Sequence, residues 1–64
     1  MRRYVVERRV QTMVLFFGFG GRWVSRDAAT RFSYREAVAV VARLRDLATE
    51  INDDDTVYTW REVQ

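Results

Sequence analysis

The sequence predicts a small α+β fold of order βββαβ: a three-stranded antiparallel meander, one helix packed on one face, and a closing strand that returns to the sheet. Three observations predict it. The stretch from Phe32 to Ile51 has a start, an apolar stripe and a stop that all agree with a helix. The runs on either side of it are rich in β-branched and aromatic residues, and a glycine cluster sits where a hairpin is needed. At 64 residues the chain has room for a single domain, 1–64, with a small core.

Tyr4 to Val10 reads as the first strand, with Tyr4, Val6 and Val10 on one side at period two and Arg8 as the exception. A helical spacing of Val6, Val10, Met13, Val14 and Phe17 competes with it, and the four valines and one threonine of this segment favour the strand. Thr12 to Phe19 reads as the second strand. Met13, Leu15, Phe17 and Phe19 point to one face, but Val14 and Phe16 point to the other. A sheet covered on one side alone alternates apolar with polar, so the second face here is expected to be partly apolar as well.

Gly20-Gly21 suits a tight hairpin turn with positive φ at both central residues. A phosphate-cradling loop is disfavoured, because the glycine spacing fails at Trp23 and no helix follows at once. Arg22 to Ser25 is a short third strand with Trp23 and Val24 on opposite faces, and Arg26 to Arg31 is a polar connection.

The helix opens on Ser33 and Glu36, a capping box in which each side chain meets a backbone N–H that the helix start leaves unpaired. Phe32 stands at the staple position, facing Ala37. Ala37, Val40, Val41, Leu44, Leu47, Ala48 and Ile51 form the stripe. Asn52 suits the left-handed position after the last turn, and Asp53, Asp54 and Asp55 form the next connection. Thr56 to Val63 closes the fold, with Tyr58 and Trp60 on one side and Val57 and Val63 on the other; it is expected beside the first strand.

Composition narrows the function. There is no cysteine and no histidine, so a disulfide framework and a Cys/His metal site are excluded, and no cofactor is expected. Without Lys as well, the usual bases and nucleophiles reduce to carboxylates and hydroxyls, so the chain is expected not to be an enzyme. Arg2 and Arg3 ahead of an apolar run resemble a secretory signal, but Glu7, Arg8 and Arg9 interrupt it and glycines break the rest. No stretch approaches the ~20 apolar residues of a membrane span.

The formal charge of +2 hides a polarity: residues 1–31 hold seven Arg against Glu7 and Asp27, while residues 32–64 hold four Arg against seven acids. Two surfaces follow as candidates. The first is a protein-binding set of Asp53, Asp54, Asp55, Glu50 and Asp46, whose acids oppose the helix dipole, together with the apolar Phe16 and Val14. A calcium loop is disfavoured there, since consecutive aspartates do not alternate as such a loop requires. The second is a nucleic-acid set of Arg2, Arg3, Arg8, Arg9 and Arg22, with Arg26 and Arg31, near Tyr4, Phe16 or Trp23 as stacking partners. Ala39 and Ala42 add a smooth outer helix patch, and a homodimer would also explain the doubly apolar second strand.

Tyr4-Val5-Val6 opening a strand, the hairpin ending Gly21-Arg22-Trp23-Val24, the box Phe32-Ser33-Tyr34-Arg35-Glu36-Ala37 and the short closing strand make a recognisable layout. It resembles the small β-rich, one-helix proteins of bacteriophages and other mobile elements, and is similar in size and style to many anti-CRISPR proteins. The use of arginine for all eleven basic residues fits a GC-rich bacterial or phage genome. The resemblance implies a non-enzymatic inhibitor that occludes a Cas protein or complex in the cytoplasm of a bacterial host. It carries over no site residues, because the matching positions are structural.

Overall fold

A computed structural model describes residues 2–63. The elements are β1 (Arg3–Val10), β2 (Met13–Phe17), β3 (Trp23–Val24), α1 (Tyr34–Glu50) and β4 (Thr56–Val63), with 3₁₀ turns at Phe19–Gly21 and Arg26–Ala28. The four strands form an antiparallel sheet of order β3-β2-β1-β4, and α1 packs on one face. The α+β architecture is therefore the predicted one, with the closing strand beside the first.

The helix forms where its signals stand. Ser33 Oγ accepts the Glu36 N–H at 3.2 Å, and Glu36 Oε1 accepts the Ser33 N–H at 2.9 Å. The bond from the Ser33 backbone N–H to the carboxylate favours its ionised form and is the main reason that the Glu36 carboxyl lies below its ordinary range, with the Ser33 side chain assisting. At the other end Asn52 takes a left-handed φ of 56°, and the Asp53 N–H closes on the Ala48 carbonyl at 2.8 Å.

Paired residues of neighbouring strands share a face, so the register sorts the side chains. Val6 pairs with Trp60, Arg8 with Tyr58 and Leu15, and Phe17 with Trp23. These face the helix. Val6, Ala37 and Val41 are fully buried there, ringed by Tyr4, Phe17, Trp23, Phe32, Tyr58 and Trp60. Each such valine contributes about 1.5–3 kcal/mol of burial; the alanine lets the helix backbone approach the sheet. Phe32 is also bridged to Tyr4 through two backbone hydrogen bonds of 2.7 and 2.8 Å, which places the helix entry in the plane of the sheet beside β1.

The structure corrects several expectations. β2 stops at Phe17, two residues before Phe19, because the Gly18 N–H bonds the Arg22 carbonyl and turns the chain there. Phe19 is then 92% exposed instead of lying with Leu15 and Phe17. Gly20 and Gly21 do have positive φ, 74° and 79°, but within a loop from Gly18 to Arg22 rather than a two-residue turn. β3 keeps only Trp23 and Val24 of the expected Arg22 to Ser25. Leu47 and Ile51 are exposed: the buried line runs through Ala37, Val41 and Ala48, leaving Leu47 at its margin and Ile51 past the last turn.

Candidate binding face

The other side of the sheet has no helix. Alternation along β1 brings Arg3, Val5, Glu7 and Arg9 to it, and the register adds Val14, Phe16 and Val24 on one flank and Val57, Thr59, Arg61 and Val63 on the other. Val14 and Phe16 lie on this second face as their spacing implied. The face mixes valines with arginines, and among the described residues Phe16 is its one aromatic side chain.

Glu7 sits at its centre, between Phe16 and Thr59. It is only 4% exposed, an unusual burial for a charged residue on a face that α1 does not cover, and Val5 beside it is equally buried. Its cover is arginine. Arg61, diagonal to it across the β1–β4 pair, donates its Nε–H to Glu7 Oε1 at 2.8 Å, and Arg9, two residues along β1, brings Nη2 to 3.6 Å from Oε2. The aliphatic stems of the two arginines spread over the strand while their guanidinium heads reach solvent.

Beside Glu7 a cleft of about 570 Å³ opens, lined by Val5, Phe16, Arg26, Trp60, Arg61 and Glu62. Arg26 stands in the 3₁₀ turn that follows β3, and the same residue with Val5, Asp27, Arg31 and Val63 walls an adjoining hollow of about 200 Å³. Glu62 is engaged by Arg2 at 3.3 Å. Among the described residues, neither Arg26 nor Arg31 has a carboxylate within salt-bridge distance.

The candidate residues of the acidic set fall elsewhere. Asp46 and Glu50 are exposed on α1, which lies across the sheet from Val14 and Phe16. Asp53 is folded into its loop: Oδ1 accepts the Asp55 N–H at 3.1 Å and Oδ2 accepts the Thr56 hydroxyl at 2.8 Å. The Thr56 bond is the main reason that the Asp53 carboxyl is lowered from its usual range, assisted by the backbone N–H groups of Asp55 and Thr56 and by Arg8. Asp54 and Asp55 are exposed. The apolar pair and the acidic end thus do not form one surface.

The arginine set is divided as well. Arg3 and Arg9 are on the open face, and Arg2 sits at the start of the chain on Glu62. Arg8 is on the helix side, its guanidinium 4.7 Å from the Trp23 ring centre. Arg22 is in the β2–β3 loop. Tyr4 and Trp23 are half-buried against the core, so they do not stand beside Phe16 as exposed stacking partners. Arg61 was missed as a site residue, although the parity that placed Val57 and Val63 on the outer face places Arg61 with them. Glu7 was missed for a different reason: parity gives its face, but only the fold brings Arg61 onto it.

On the far edge of the sheet, β4 has no strand paired to its outer side among the described residues. Arg45 of α1 meets it there, donating Nε–H and Nη2–H to the Tyr58 carbonyl at 3.1 and 2.9 Å. Among the described residues, no helix is long and apolar enough to cross a membrane. Compared with family models, with curated proteins and with solved structures, the chain matches none.

Proposed function

We propose that this chain is a non-enzymatic binding protein that works by covering a partner protein's surface with the open face of its sheet. The observation that carries the reading is the composition of that face: Val14, Phe16, Val57 and Val63 lie among Arg3, Arg9 and Arg61, over a buried Val5, on the side opposite the helix. Arginine and apolar side chains together make the centre of a protein interface. The inhibitor reading continues the resemblance to phage proteins, and a Cas protein or complex in a bacterial host is the first partner to try. The acidic Asp54 and Asp55, outside this face, are a secondary contact in that reading.

The test is a pull-down from bacterial lysate, with and without nuclease, followed by the same experiment with Phe16→Asp and Val57→Asp. A defined protein complex that survives nuclease and is lost with either variant supports the reading. Equal recovery by wild type and both variants sinks the face as the contact. Asp54→Ala with Asp55→Ala tests the acidic end, leaving Asp53 to hold its loop. Sedimentation of the isolated protein reads the homodimer alternative directly.

One observation favours a second reading. Arg3, Arg9, Arg26, Arg31 and Arg61 all border the open face or its clefts, a distribution that suits a polyanion. Binding to nucleic acid through them predicts affinity that falls steeply with salt.

A further inference from the structure

The cleft beside Glu7 carries an inference that rests on the protein-binding reading and specifies the chemistry of the partner. Arg61 is not a freely moving surface side chain, because its Nε–H is fixed on the buried Glu7 carboxylate at 2.8 Å. Bonding through Nε leaves the end-on N–H pair of its terminal amino groups uncommitted, and among the described residues these groups have no side-chain or carbonyl acceptor. A planar guanidinium held in this way is prepared for a second carboxylate. Arg26 stands on the wall of the same cleft, without an ion-pair partner among the described residues, and Val5 and Phe16 supply apolar wall between them.

We infer that the cleft receives the carboxylate of an acidic side chain from a protein partner, bound between the terminal amino groups of Arg61 and the guanidinium of Arg26, with Phe16 against an apolar neighbour of that side chain. Glu7 is a positioning residue: it aims Arg61 without touching the ligand. Charge complementarity selects this occupant. The lining of the cleft sets Arg26 and Arg61 against Glu7 and Glu62, but Arg9 also engages Glu7, Arg2 engages Glu62 and Arg31 stands with Asp27 in the adjoining hollow, so the surface around the cleft is locally positive. A phosphate backbone running through both hollows would pass Asp27 as well as Glu7 and Glu62, whereas a single carboxylate stays in the one cleft, where arginines already engage both glutamates.

The test uses the 64-residue protein labelled with ¹⁵N, following arginine Nε–Hε signals during titration. The probes are the peptide acetyl-Leu-Glu-Glu-Leu-amide, its Gln-Gln counterpart and a thymidine octanucleotide. The acidic peptide is expected to shift the Arg61 and Arg26 signals and to bind about tenfold more tightly than the Gln-Gln peptide. Arg61→Gln and Arg26→Gln each lose about tenfold, and Arg43→Gln, on the exposed part of α1, loses nothing. Glu7→Gln moves the Arg61 signal in the free protein and weakens the acidic peptide alone, a selectivity that general destabilisation does not produce.

Equal binding of the two peptides overturns the inference, as does the absence of any shift at Arg26 and Arg61 up to about 5 mM peptide. Tighter, salt-sensitive binding of the octanucleotide overturns it in favour of nucleic acid. A nuclease-resistant complex recovered equally by wild type and by the Arg26→Gln, Arg61→Gln double variant overturns the cleft but leaves the protein-binding reading standing. If wild type recovers no such complex, it is the protein-binding reading that falls.

Discussion

Glu7 and Arg61, 54 positions apart in the chain, meet at 2.8 Å on the side of the sheet that has no helix. The contact joins the first strand to the last and fills the place that an apolar residue would take in a covered face. It also has an energetic consequence. The carboxylate is buried while the guanidinium is about half exposed, so the pair is worth more than a surface ion pair and less than a fully buried one.

Glu7→Gln, which keeps the shape and removes the charge, is expected to cost about 1–2 kcal/mol in urea unfolding. Arg61→Gln costs a similar amount, since it leaves the buried carboxylate to Arg9 alone. The double variant is expected to cost less than the two singles together, with a coupling of about 1 kcal/mol. Additive costs would show that the two side chains lie together without stabilising each other.

Gln11 joins β1 to β2 with a φ of 54°, in a two-residue turn closed by the Val10–Met13 pair. A left-handed conformation costs an L-residue roughly 1–2 kcal/mol that glycine does not incur. Gln11→Gly regains part of this after its own entropy loss, so stability should rise by about 0.5–1 kcal/mol. A fall in the thermal midpoint would rule out this account of the turn.

Gly18 has ordinary extended backbone, and its constraint is space. A Cβ there would stand 2.7 Å and 3.0 Å from the two methyl carbons of Val24 and 3.2 Å from the Arg22 carbonyl oxygen. Gly18→Ala is expected to destabilise by about 1–3 kcal/mol through overpacking. Val24→Ala added to it should return part of that loss; equal destabilisation with either residue at position 24 would place the strain elsewhere.

The carboxyls of Glu36 and Asp53 are both held below their ordinary values of 4.5 and 3.8 by hydrogen bonds to the ionised form. The unfolded chain therefore takes up protons first as pH falls. The stabilisation from these groups is complete above their ordinary values and is lost as pH drops through the lower folded values. Acid titration of stability should show this loss below about pH 4. Glu36→Gln and Thr56→Val are each expected to flatten the slope; an unchanged slope in both would remove these two carboxyls from the acid response.

Much of the fold was legible because its signals are local. The capping box and Asn52 bound the helix through bonds that span three to five residues, and β-branched runs with fixed parity give strands and faces. The errors fall where a local signal competed with a nearby bond. Phe19 continues the apolar alternation of β2, yet the Gly18 N–H finds the Arg22 carbonyl and ends the strand.

The candidate site was legible only in part, for the same reason. Parity in the sequence determined that Val14 and Phe16 leave the helix-covered side, and equally that Glu7, Val57 and Arg61 share a face, each with its own neighbours two residues away. That β4 lies beside β1 is set by pairing between residues far apart in the chain, from Val10 with Thr56 to Arg3 with Val63, and only the tertiary structure decided that Arg61 lies diagonal to Glu7. Charge obeys the same division. The sequence determined an arginine-rich first half, but the fold sent Arg8 to Trp23, Arg2 to Glu62 and Arg9 to Glu7, and left Arg26 beside the cleft. Backbone preferences act over a few residues and can be read along the chain; an ion pair on a sheet depends on register, which exists only once the strands have met.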